Sequence, residues 1–196
     1  VETLLALRKT RLVENFNGKD ISTAVLLDIL DASRWAMSFQ GMQSWEVIIV
    51  KDKDRKQQLS ELLKQGELKR ASVLLVVASN QERASFAMGA AGERLSLIEC
   101  AALAQNLVVA SRDHGVATSV NGNFDEEELK KFVDCPQGVL PLLVVGLGYS
   151  GAYPEIKRAP INTFIHTESF GRPWEGDLAE KFKARTNQSA FMRIFG

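Results

Sequence analysis

The segment from Gly92 to His114 constrains this chain most. It contains no proline, carries apolar residues almost all the way round, and closes on Arg112, His114 and Gly115, which are C-terminal helix signals. At about 1.5 Å per residue such a helix extends roughly 34 Å, the width of a small domain. A helix this long with so little polar face must be covered on several sides. Its small residues Ala101, Ala102 and Ala104 permit close approach by whatever covers it. It is expected to be a central or interfacial helix.

Around it the chain alternates apolar runs with helical periodicity. Val73 to Ala78 (VLLVVA) is a continuous apolar strand with both faces covered. Further strands are expected at Glu46–Val50, Val116–Asn121 and Pro141–Gly148. Leu4, Leu5 and Leu7 point to a short opening helix that runs into Arg8-Lys9-Thr10-Arg11. Ser22 or Thr23 can cap a helix carrying Val25, Leu26, Ile29, Leu30, Ser33 and Ala36 at helical spacing. Asp52 caps a charged helix that buries Leu59, Leu62 and Leu63 and stops at Gly66, and Asp125 caps DEEELKKFV, with acids first and lysines last. By itself this alternation of strands and helices favours a doubly wound parallel sheet.

The 196 residues are enough for one domain with appended segments. Lys plus Arg equals Asp plus Glu at 24 each, so no global field draws the chain to nucleic acid or to an anionic membrane. No apolar run has the roughly 20 residues that cross a bilayer, and VETLLALRKT lacks a signal-peptide pattern; a cytoplasmic protein is expected. Cys100 and Cys135 form neither a disulfide framework nor a zinc motif and are expected to be structural thiols. Beyond Gly148 periodicity fades, yet Phe164, Ile165, Phe170, Trp174, Phe182, Phe191 and Phe195 need cover. We therefore expect a domain over 1–174 and an extension over 175–196 that packs on a partner subunit.

Most chemical motifs fail on context. Gly146-Leu147-Gly148-Tyr149-Ser150-Gly151 matches G-x-G-x-x-G after a strand, but AYPEIKRAP follows where a dinucleotide site needs a helix to open. There is no G-x-S-x-G elbow, the two histidines (His114 and His166) stand apart, and no set of ligands has metal-binding spacing, so no catalytic residue and no metal is assigned. What remains is cationic. Arg8-Lys9-Thr10 offers a guanidinium, an ammonium and a hydroxyl suited to a phosphate, and Lys157-Arg158 offers a second basic pair; solvated surface is the competing reading of both.

The order of these features resembles the nitroreductase family of FMN-dependent enzymes. Members open with an Arg-Arg-Ser-like phosphate motif and, after the next helix, carry A-P-S-x-x-N-x-Q-P-W before the first strand. Residues 36–45, AMSFQGMQSW, lie on that pattern without a gap. Ala36, Ser38, Gln43 and Trp45 match. Met37 and Ser44 stand where prolines are usual, Gly41 where asparagine is usual, and Thr10 in place of serine. The resemblance spans about residues 5–170.

The resemblance implies an α+β fold, a mixed and mainly antiparallel sheet flanked by helices, in an intertwined homodimer with FMN at the subunit interface. It overrules the parallel-sheet reading. It further implies that Arg8, Lys9 and Thr10, joined by Lys157 and Arg158, hold the FMN phosphate, and that Met37, Ser38 and Phe39 of the neighbouring subunit surround the ring, with Gly41 beside them. Asn121 and Gly122 fall where the family presents a backbone N–H to flavin N5, although a plain turn glycine explains Gly122 equally well. Lys64 or Gln65 falls near another polar flavin contact, of which Gln65 is the candidate. The implied activity takes a hydride from NADH or NADPH through N5 to a nitroaromatic, quinone or flavin, with the flavin and no side chain carrying the chemistry. A non-catalytic flavin-binding or regulatory protein, and a dehalogenase or desaturase of the same fold, are the alternatives. Met37, Gly41 and Ser44 mark where substrate preference, or loss of activity, is expected to be decided.

Overall fold

A computed structural model describes residues 3–160, 163–173, 176, 180 and 181. The chain divides into two compact units, Val1–Pro154 and Glu155–Gly196. The first contains all the named helices and strands: α1 (Thr3–Lys9), α2 (Thr23–Ser33), β1 (Trp45–Val50), α3 (Lys53–Leu62), β2 (Val73–Asn80), α4 (Gln81–Met88), α5 (Gly92–Asp113), β3 (Ala117–Asn121), α6 (Glu126–Phe132) and β4 (Val139–Gly148). Three caps act as their sequences require, with the side chains of Ser22, Asp52 and Asp125 accepting from the amides of Val25, Arg55 and Glu128.

The four strands form one sheet in the order β1-β2-β4-β3, and every pairing is antiparallel. The doubly wound parallel reading is therefore wrong and the α+β expectation right. The only parallel bridge outside the strands among the described residues joins Leu12 to Thr118 of β3. The misreading has a physical cause. Continuous apolarity in β2 reports that helices cover both faces, and it carries no information about strand direction. Val73, Leu75 and Val77 face a core shared with α2 and α5, including Leu26, Ile29, Leu103 and Leu107. Leu74 and Val76 face the opposite core, with Leu59 and Leu63 from the α3 region, Leu129 of α6 and Phe16.

Two local expectations also change. The helix begun by Asp52 ends at Leu62, because Lys64 adopts φ 55° and turns the chain left-handed before Gly66, which instead opens a short 3-10 turn to Arg70. Helix α4, absent from the sequence reading, starts on Asn80, whose side chain accepts from the Arg83 amide. A Cβ at Gly92 would lie 2.2 Å from the Ala84 carbonyl oxygen, so glycine is what lets α5 begin directly against α4.

The second unit, where it is described, combines irregular chain and turns with helical backbone at residues 180 and 181. Thr163 bonds back to Pro160, the Thr167 amide donates to Arg172 O, and the His166 and Phe170 rings lie 4.6 Å apart. Trp174, Phe182, Phe191 and Phe195, with nearly all of the expected 175–196 extension, lie outside the described residues.

Candidate functional site

The loop between α2 and β1 is organised by a residue that sequence reading passed over. Glu99 of α5 is fully buried and accepts four hydrogen bonds from the loop. Ser38 Oγ and the Phe39 amide donate to Oε1 at 2.7 Å each, and the Ser44 amide and hydroxyl donate to Oε2 at 2.8 Å each. Burial pushes the Glu99 carboxyl up, but the donors from Ser44, Ser38 and Phe39 together outweigh burial and hold it below its ordinary value. Ser38 Oγ also accepts from the Gln43 amide at 2.9 Å, and Arg83 of α4 grips Gln43 O at 2.7 Å and Glu46 Oε1 at 2.6 Å. The signal available in the sequence was a lone carboxylate on an apolar face of the longest helix.

This geometry explains two departures from the family pattern. Gly41 has φ +74°, a left-handed conformation that glycine and asparagine are the residues to tolerate, so the exchange leaves the backbone path open. Ser44 supplies both an N–H and a hydroxyl to Glu99, whereas a proline there would supply neither. In this role Ser44 is fully buried. Met37 is different: it is 56% exposed, beside Trp35 at 74%, which leaves an apolar surface at the head of the loop.

The other expected residues gather at the opposite edge of the sheet. Leu12 bridges Thr118, and the Val13 amide donates to Thr118 O at 2.8 Å, so the chain leaving α1 runs along β3. This places Arg8, Lys9 and Thr10 on the same edge as Asn121 and Gly122. Arg8 and Lys9 are exposed in the last turn of α1, where the helix dipole favours cations. The Thr10 hydroxyl donates back to Ala6 O at 2.8 Å, and Arg11 closes the helix by donating to Arg8 O and Thr10 O. Asn121 is buried with its Nδ2 unpartnered, and a Cβ on exposed Gly122 would crowd Leu143 Cδ2 at 3.3 Å. Ala117, Ser119 and Asn121 share a strand face, and Ala117 lies in the core on the α3 and α6 side, so the Asn121 side chain turns away from α5.

β1 and β3 are the two outer strands, about 14 Å apart at the usual strand spacing. One copy of the chain thus sets Arg8, Lys9 and Thr10 before the parallel Leu12–Thr118 bridge and Asn121 and Gly122 after it, on the β3 side of the sheet, and runs the latched loop that carries Met37, Ser38, Phe39 and Gly41 into β1, the other outer strand. Gln65 is exposed after α3, its backbone tied to Ser60 and Leu68, and joins neither group. Lys157 and Arg158 belong to the second unit, where both are exposed.

The G-x-G-x-x-G match has its own explanation. Gly146 and Gly148 make room for Phe16, whose ring atoms would lie 3.3 Å and 2.8 Å from added Cβ atoms there, and residues 151–160, directly after the match, form no helix. Cys100 is buried against Ala78 O, and burial, with the Glu99 and Glu46 charges, pushes its thiol up to about 12, which makes it inert.

The Nitroreductase family model matches residues 7–66 and 52–149, which covers α1 to β4. The chain belongs to the nitroreductase family and is an oxidoreductase. An Archaeoglobus fulgidus relative with the provisional name NADH dehydrogenase/NAD(P)H nitroreductase is 26% identical over 153 residues, 76% of this chain and 85% of the relative. Among solved structures, NfrA2 of B. megaterium superposes with a TM-score of 0.80 at 22% identity, over 95% of this chain and 85% of that one. The NADPH:FMN oxidoreductase of Vibrio harveyi, solved with NAD+, gives 0.79 at 17% identity over 99% and 91%. At these identities the structures speak for the nitroreductase fold.

Proposed function

We propose that this nitroreductase-family chain is an FMN-dependent enzyme that oxidises NADH or NADPH and reduces a nitroaromatic, a quinone or a free flavin, acting as a cytoplasmic homodimer. The observation that carries the proposal is the segregation of the two residue sets to opposite edges of one sheet. In this reading a second copy brings its Met37–Gly41 loop to the Arg8–Thr10 edge of the first.

The residues suit such a cofactor. Exposed Arg8 and Lys9 supply the charge-assisted bonds that a phosphate takes best. The latched loop offers Met37 as an apolar face, and the exposed Gly122 backbone lies beside β3 for close approach. When bound, FMN supplies hydride transfer at N5. The protein's own part is to bind, orient and exclude water. Lys157, Arg158 and Gln65 are further candidate contacts on the family resemblance. The large exposed apolar side chains Leu4, Leu5 and Leu7 of α1, and Leu97 and Ile98 of α5, favour a second copy as the cover. No described helix is long and apolar enough to cross a membrane.

The test begins with the purified protein, which should bind FMN and, mixed anaerobically with NADH or NADPH, lose its visible flavin absorbance. Failure to bind FMN overturns the proposal; a bound flavin that neither nucleotide bleaches turns the reading to a non-catalytic flavoprotein. Arg8→Ala should leave the fold intact by circular dichroism and weaken FMN binding at least tenfold.

A further inference from the structure

Glu99 raises a question the fold does not answer. Its carboxylate is fully buried, and no ion pair among the described residues reaches it. Burying an unpaired charge is expensive, and a loop that only had to be covered could be held by apolar packing at lower cost. The segment it gathers is strained as well. Gln40 and Gln43 take φ 52° and 47°, left-handed conformations that cost roughly 1 kcal/mol or more for residues with a Cβ. A buried charge, two strained glutamines and a hydroxyl relay through Ser38 all specify one shape of the loop.

The carrier of the latch matters too. Glu99 follows Leu97 and Ile98, which are exposed on α5, so the turn of helix that offers an apolar face outward also grips the loop inward. From this we infer that Glu99 is a positioning residue for the flavin: it holds residues 37–41 in the one conformation that meets the ring, on the same rigid helix that presents Leu97 and Ile98. The inference rests on the FMN reading above. It assigns Glu99 no contact with the flavin; it acts through Ser38, Phe39 and Ser44.

Glu99→Gln is the direct test, because it keeps the size of the side chain but turns one acceptor oxygen into a donor that faces donors. In the FMN-free protein, hydrogen exchange at the Phe39 and Ser44 amides should quicken at least tenfold in the variant, with β2 amides unchanged. In titrations with FMN, the dissociation constant should rise about tenfold. The visible circular dichroism of saturated flavin should also differ from wild type, which a purely stabilising role would leave unchanged. Glu99→Asp, which keeps the charge on a shorter arm, should recover part of the affinity. If Glu99→Gln does not fold, Ser44→Ala decides, since it removes one of the four bonds and should shift FMN affinity the same way by a smaller factor. A loosened loop with unchanged FMN affinity and flavin spectrum overturns the positioning role and leaves the flavoprotein reading intact. A wild-type protein that does not bind FMN overturns that reading and the positioning role with it.

Discussion

Phe16 is 2% exposed and sits where Gly146 and Gly148 of β4 leave a gap in the strand's side-chain layer. Adding a methyl at Gly148, 2.8 Å from the Phe16 ring and 3.2 Å from the Ser72 amide nitrogen, should destabilise the protein by about 1–3 kcal/mol in urea unfolding. Combined with Phe16→Leu the penalty should be less than additive, because the smaller side chain gives the methyl room. Strict additivity would show that the glycines serve something other than Phe16. Glu99 makes a prediction in pH. Its folded pKa lies below the ordinary 4.5, so its contribution is fully present above about 4.5 and is lost as pH falls through the folded value. Wild type should exceed Glu99→Gln in stability by about 2–4 kcal/mol at neutral pH, and the gap should narrow below pH 4.5. A gap that is flat from pH 7 to 3.5 would mean the carboxylate charge is irrelevant to the latch.

At the scale of elements, strong local signals survive folding and weak ones do not. Caps at Ser22, Asp52 and Asp125 and the uninterrupted apolar pattern of α5 carry their own physics, and each stands where the sequence puts it. Helix α4 was illegible because its register, QERASFAM, buries only Ala84 and leaves Phe86 95% exposed, so no apolar stripe announces it. Its docking depends on Gly92. Gly92→Ala should force the Ala84 carbonyl away and cost about 1–3 kcal/mol, read in thermal or urea unfolding. Because Arg83 ties α4 to Gln43 and Glu46, the same change should speed exchange in the 38–44 loop.

For the whole molecule, the proposal that two copies share the site makes association a testable part of it. Ile98→Glu places a charge on the exposed side of α5, away from both cores, and should shift the protein from dimer to monomer in analytical ultracentrifugation with unchanged far-ultraviolet circular dichroism. FMN affinity should fall with it. A monomer that binds FMN as tightly as wild type would separate the cofactor site from the subunit contact. The sequence alone determined the length of α5, the caps, the apolarity of β2 and, through the spacing of Arg8-Lys9-Thr10 and AMSFQGMQSW, the family, because each is a property of neighbouring residues and their periodicity. Strand direction, the Glu99 latch and the sorting of the candidate residues to two edges were decided only by tertiary structure. They depend on which distant segments meet: Glu99 lies 61 residues from Ser38 and 55 from Ser44, and no local pattern encodes a bond across that distance.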